Sequence, residues 1–180
     1  MNLTQKTQIK KMKPLSLAGI LFGIGMGGFA YGIIFHQISQ AHNMLSYKFF
    51  TDNIDNLQIN VMWDGIFQAL AWLVTGWALV LLWRVAKRAE VPLITKFFTG
   101  SMLLGWGLFN LVEGILDHHI LKLHHIVEGA PSTDQALWDI VFLASGIILV
   151  ALGTYMRRNS LETIELQKRP TMDTLRAARI

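Results

Sequence analysis

Six histidines stand in this chain, His36, His42, His118, His119, His124 and His125, and no cysteine accompanies them. A metal site built from such residues uses imidazole nitrogen and carboxylate oxygen, which suits zinc, iron, copper or manganese better than an iron–sulfur cluster. Met44 and Met62 add thioether donors, a weak pointer to copper. Disulfides and thiol redox chemistry are excluded. Carboxylates recur around the histidines: Asp64, then Glu113 and Asp117, then Asp139. Two acids at i and i+4 repel unless one is protonated or a cation lies between them. A cation held by imidazole and carboxylate removes that repulsion. The leading metal-ligand candidates are therefore His36, Asp64, Glu113, Asp117 and His118, with Asp64 either a ligand or the partner that orients a histidine. Weaker candidates are His42, Asn60, Gln68, Asn110, His119, His124, His125 and Asp139. Of these, His119, His124 and His125 read first as a solvated loop, and Asp139 serves equally well as a favourable charge at a helix N-terminus. The Glu-x-x-His pairs of di-iron bundles are absent.

The elements that must position these residues are hydrophobic helices. The 180 residues are 52% hydrophobic and 16% charged, too apolar for a typical soluble domain of this size. Four runs are long enough to cross the roughly 30 Å hydrocarbon core as helices. The expected spans cover about 15–38, 60–84, 97–121 and 136–156. They make an all-α integral membrane four-helix bundle between a basic tail (1–14) and a polar tail (157–180). The polar tail is expected as a short surface helix or a disordered segment. Apart from Lys48 and Lys122, every lysine and arginine falls in the two tails or in the link between the second and third spans. The positive-inside rule then places both termini in the cytoplasm of a multi-pass cell-membrane protein. The net charge of +4 is spread between hydrophobic runs rather than gathered on one face, so nucleic acid is not an expected partner. The lipid bilayer is.

This topology brings distant residues to one depth. The odd spans end outside and the even ones begin there, so His36, Asp64, Glu113, Asp117, His118 and Asp139 share the extracytoplasmic end. An ionised carboxylate at the bilayer centre costs at least about 2.5 to 3.5 kcal/mol, less near an interface, so these acids need partners. At 100° per residue, Asn110, Glu113, Asp117 and, if the helix continues, His124 fall within about 60° of one another. Asn60, Asp64 and Gln68 make a second stripe, and His118 points to one side of the first. Gly19, Gly23 and Gly27, with Gly28 and Gly32, leave two narrow strips on the first helix that favour close helix contact, within the chain in preference to a second copy. Homo-oligomer and membrane-complex partners stay open. The run Gly23-Ile24-Gly25-Met26-Gly27-Gly28 has dinucleotide-binding spacing but lies inside a span and has no strand before it. No internal repeat is legible.

These residues support a metal-binding membrane protein used for metal handling or redox chemistry. Alternatives are a proton or ion relay or small transporter using the same acids, a haem-binding bundle with His36 and His118 as axial ligands, and an assembly subunit. The segments Gly25-Met26-Gly27-Gly28-Phe29, Gly32-Ile33-Ile34-Phe35-His36-Gln37-Ile38 and Trp63-Asp64-Gly65 resemble a bacterial family of small four-helix membrane proteins known only as a domain of unknown function. So does Asn110-Leu111-Val112-Glu113-Gly114 with Asp117-His118-His119 and His124-His125. The resemblance implies the architecture and an important polar cluster, and no reaction. Its pattern has an acid at the position of Tyr31 and histidines at those of Asn43 and Gln68. The departures remove possible ligands and leave open a reduced site, a different metal, or none.

Overall fold

The computed structural model describes residues 3–167, and the side chains of residues 10–163. Its helices are α1 (Leu3–Tyr31), α2 (Ile54–Ala86), α3 (Thr95–Glu113) and α4 (Ser132–Gln167), with no strand among the described residues. Helices α1, α2 and α4 are long and apolar enough to cross a membrane. Helix α3 is shorter and is prolonged by a wide π-turn, Gly114–Ile120, as α1 is by Gly32–Ile38. Segments expected as tails are partly helical: α1 begins at Leu3 and α4 runs to Gln167. The rest of the expected polar tail, 168–180, lies outside the described residues.

Helices α1 and α3 pack on each other at the centre, α2 on α1 and α4 on α3. The outward faces of α2 and α4 expose Trp72, Leu73, Trp77, Ile147, Ile148 and Leu152, while Asn60, Asp64, Glu113 and Asp139 are buried. Apolar outside and polar inside is the distribution that lipid, not water, makes favourable. The glycine strips of α1 do serve contacts within the chain. Gly19, Gly23 and Gly27 face α3, and Gly25, Gly28 and Gly32 face α2.

The chain is an internal repeat, contrary to the sequence reading. A side chain at Gly23 would run into the backbone of Met102, and one at Gly105 into the backbone of Ile20, so the α1–α3 crossing is reciprocal. Such reciprocity is the mark of a twofold contact. Gly25 meets Ala71 and Thr75 on α2, and Gly107 meets Gly146 and Val150 at the matching positions of α4. The π-turns match as well: the Ser39 amide donates to the Ile34 carbonyl at 2.9 Å and the Leu121 amide to that of Leu116 at 2.7 Å. The duplication is carried by a few identical residues at one constant offset, Gly23 and Gly105, Gly25 and Gly107, Gly32 and Gly114, His36 and His118, His42 and His124, set among dissimilar neighbours.

After each π-turn the chain reverses through a residue in the left-handed region, Gln40 and Lys122, both at φ 49°. The reversal returns the amides of Ala41 and Leu123 to the carbonyls of Phe35 and Asp117, at 2.9 and 2.8 Å. A side chain there costs roughly 1–2 kcal/mol, which glycine avoids, and a β-branched residue is worse placed still. Because Lys122 is exposed, we expect Lys122→Gly to unfold in detergent no earlier than wild type and Lys122→Val to unfold clearly earlier. Equal thermal midpoints for the valine variant and wild type would show that the backbone is unstrained.

Candidate metal centre

The site is assembled by the π-turns. A five-residue hydrogen-bonded turn carries fewer degrees per residue than an α-helix, so residues five apart align. Tyr31 thus stands over His36, and Glu113 over His118. The straight α-helical phase used above would have aligned Glu113 with Asp117 and turned His118 aside. Glu113 does lie beside Asp117, but because the helix widens at Gly114 it also meets His118. Two loops complete the cluster with His42 and His124. They are stitched together by Tyr47 N–H to the Leu123 carbonyl (2.9 Å) and Glu128 N–H to the Ala41 carbonyl (3.1 Å).

His36, His42, His118 and His124 are all buried, and each has its Nδ1 engaged from behind. His36 Nδ1 lies 3.1 Å from Asp64 Oδ1, and His118 Nδ1 lies 3.2 Å from Asp139 Oδ1. Both are charge contacts that fall short of hydrogen-bond alignment. His42 Nδ1 donates to the Ile126 carbonyl at 2.9 Å, and His124 Nδ1 to the Met44 carbonyl at 3.0 Å. A carbonyl only accepts, so these two rings carry their proton on Nδ1 and, when neutral, present a bare Nε2. The Nε2 atoms face inward. The Tyr31 hydroxyl oxygen lies 2.9 Å from that of His42, 3.2 Å from that of His118 and 2.9 Å from that of His124. His36 and His42 approach Nε2 to Nε2 at 3.1 Å. Glu113 Oε1 is 3.4 Å from His124 Nε2.

The acids are themselves tied down. Asp64 accepts from Asn43 Nδ2 at 2.6 Å and from the Met44 amide at 2.8 Å. Asp139 accepts from His125 Nδ1 at 2.6 Å and from the Ile126 amide at 3.1 Å. Among the described residues, every ion pair of Asp64, Glu113 and Asp139 is to a histidine and none is to lysine or arginine. Burial, then the neighbouring imidazoles of His124 and His36, push His42 down to about 2. It is neutral at any physiological pH, with its Nε2 lone pair available. Burial also opposes charge on His124, but the hydrogen bond and charge of Glu113 outweigh it and raise that group. His124 therefore holds a proton more firmly than a free imidazole, and a metal binding there must displace it.

Of the residues expected from sequence, His36, Glu113 and His118 join this cluster, while Asp64 and Asp139 stand behind imidazoles. Asp117 is only partly buried and bonds to Glu113 rather than to a histidine. Asn60 fixes the first loop, accepting from the Leu45 amide at 3.0 Å and donating to the Phe49 carbonyl at 2.8 Å. Asn110 donates to Ser145 Oγ at 3.0 Å. The Gln68 amide is buried with no partner among the described residues. His119 is exposed and donates to the Gly114 carbonyl at 2.8 Å, and His125 backs Asp139. His124, expected in a solvated loop, is among the most buried side chains. Its loop folds under the opposite one, which a linear reading does not show. Sequence reasoning also passed over Tyr31 as a lost ligand and ranked His42 low. The signal that finds both is positional: Tyr31, His36 and His42 match Glu113, His118 and His124 at one constant offset.

Glu113, His118 and His124 each offer a ligand atom, and the three atoms lie within 4.8 Å of one another. At metal–nitrogen bonds of about 2.0–2.1 Å, donors on one ion sit roughly 3 Å apart, so modest inward movement suffices. The donor set fits a transition ion. A polar cleft of about 650 Å³ reaches the cluster from the side of His36, Asn43 and Asp64. No curated protein and no solved structure matches the chain. A family model described as "Predicted membrane protein (DUF2243)" matches residues 18–160, the stretch that holds both halves of the repeat and every residue of the cluster. By that match the chain belongs to the predicted membrane protein family DUF2243, a family of unknown function.

Proposed function

We propose that the protein binds a first-row transition ion through Glu113, His118 and His124, at the extracytoplasmic end of a bundle that crosses the cell membrane four times with both termini inside. The observation that carries this reading is the convergence of those three ligand atoms together with the anchoring of the two imidazoles from behind, His118 by Asp139 and His124 by the Met44 carbonyl. Partners of this kind fix the tautomer and aim the ring of a metal-ligating histidine. They are needless for a solvated one. Burial adds a second support: a carboxylate in this environment is costly unless a cation compensates it. The basic residues Lys10, Lys11, Lys13, Arg84, Lys87, Arg88 and Lys96 lie at the other end of the helices, which supports the orientation under the positive-inside rule. The cleft beside His36 offers a path for the ion from outside.

The test is elemental analysis of the full-length protein purified in detergent, beside a His118→Ala, His124→Ala double variant. Wild type is expected to retain metal through gel filtration, and the double variant to bind at least about 100-fold more weakly, since two of three ligands are gone and each orienting contact alone is worth about 10–100-fold. Equal and negligible metal in both would end the proposal.

A further inference from the structure

The second half of the cluster repeats the first, and we infer that His36, His42 and Tyr31 hold a second transition ion, with the Tyr31 oxygen shared between the two, so that the centre is dinuclear. The inference rests on the reading of Glu113, His118 and His124 as a metal site and adds a site that those residues do not require.

Each half supplies its histidines with the same supports. The first histidine of each half meets an aspartate of the next helix, at 3.1 Å for His36 and 3.2 Å for His118. The second donates to a carbonyl of the opposite loop, at 2.9 Å for His42 and 3.0 Å for His124. Each aspartate also accepts from a loop amide, Met44 or Ile126, and from a loop side chain, Asn43 or His125, both of the latter at 2.6 Å. Contacts that aim ligands in one half aim the same residue types in the other. The difference between halves is at the position one π-turn before the first histidine, Tyr31 in place of Glu113.

Lone pairs set the next constraint. His42 carries its proton on Nδ1, and the Asp64 carboxylate 3.1 Å from His36 Nδ1 favours the tautomer of that ring protonated on the same side. Two bare Nε2 atoms are then left 3.1 Å apart, a separation expected for cis ligands on one ion with bonds of about 2.0–2.1 Å. Without a cation this pair needs a shared proton. The Tyr31 oxygen can serve both ions, because it lies within 3.2 Å of ligand nitrogens in both halves, His42 on one side and His118 and His124 on the other.

Charge agrees. Asp64, Glu113 and Asp139 are buried without a lysine or arginine partner among the described residues. One divalent ion leaves that set negative. A second divalent ion offsets the remainder, and the Tyr31 hydroxyl proton leaves to water when its oxygen binds the two ions. With nitrogen and oxygen donors and no thiolate, iron, manganese and zinc are the suited class, and two such ions held close form the arrangement that clamps an oxygen-bearing substrate in two-metal sites.

The experiment is metal stoichiometry on the full-length protein in detergent, reconstituted separately with zinc and with ferrous iron, the iron sample then being oxidised in air. Two ions per chain are expected in wild type and one in His36→Ala, His42→Ala. In Tyr31→Phe, which keeps the ring and its packing, binding of the second ion is expected to weaken at least tenfold. The oxidised iron protein is expected to show a visible phenolate-to-iron charge-transfer band that Tyr31→Phe lacks. A wild type that binds a single ion, equally in His36→Ala, His42→Ala and in Tyr31→Phe, overturns the dinuclear inference and leaves the Glu113 site standing. Absence of metal from wild type removes both.

Discussion

Gly105→Leu is expected to yield no folded, monodisperse protein in detergent, whereas Gly76→Leu is expected to behave like wild type. The pair separates close approach from simple intolerance of bulk. At Gly105 the first carbon of any side chain would fall on the Ile20 backbone, while at Gly76 nothing lies within 4 Å. Overpacking against mobile side chains costs about 1–3 kcal/mol. Here the obstacle is the backbone of a central helix, and its displacement would also part Gly23 from Met102, since the crossing is reciprocal. The loss should approach the whole stability of a typical domain, about 5–15 kcal/mol. Size-exclusion profiles and thermal unfolding of the two variants report it directly, and a well-folded Gly105→Leu protein would mean that α1 and α3 do not cross as described.

Asp139→Asn is expected to weaken metal binding about 10–100-fold, the usual cost of removing the partner that orients a metal-ligating histidine. One carboxylate here holds His118 Nδ1, His125 Nδ1 and the Ile126 amide. All three are donors or charge partners that a negative acceptor with two oxygens can satisfy together. An amide of the same size offers one acceptor and sets an N–H₂ group against another donor. The orientation of His118 is lost, and so is part of the loop geometry, because Ile126 also supplies the carbonyl that fixes His42. Asp134→Asn, on an exposed residue of the same helix, is the control and should leave affinity unchanged. Metal titration of both variants, with circular dichroism to confirm the fold, measures the effect. Wild-type affinity in Asp139→Asn would remove the orienting role from this aspartate.

Much of the helical architecture was legible in the sequence because each helix is a local property. Long apolar runs and the glycine strips of α1 need no tertiary information, and they correctly announced four helices in close contact. Alternation of direction along the chain was enough to gather His36, Glu113 and His118 at one end of the bundle. The failures have a common cause. A phase of 3.6 residues per turn does not hold through Gly32 and Gly114, where the helix widens, so it turns His118 away from the Glu113 stripe that it in fact joins. The loops were read as solvated because nothing local says that the His42 and His124 segments lie across each other and close over the cluster.

The amino-acid sequence by itself determined the solvent this protein is built for, the helices that solvent demands and the chemical class of its candidate ligands, since hydropathy, periodicity and the lack of thiols are properties of the chain read in order. Only the tertiary structure decided which imidazoles meet, which carboxylates stand behind them, and that the two halves pack on each other reciprocally. Those outcomes depend on a widened turn, a left-handed residue and a backbone crossing at two glycines, each of which shifts side chains by a fraction of a turn, and that fraction separates a ligand from a bystander.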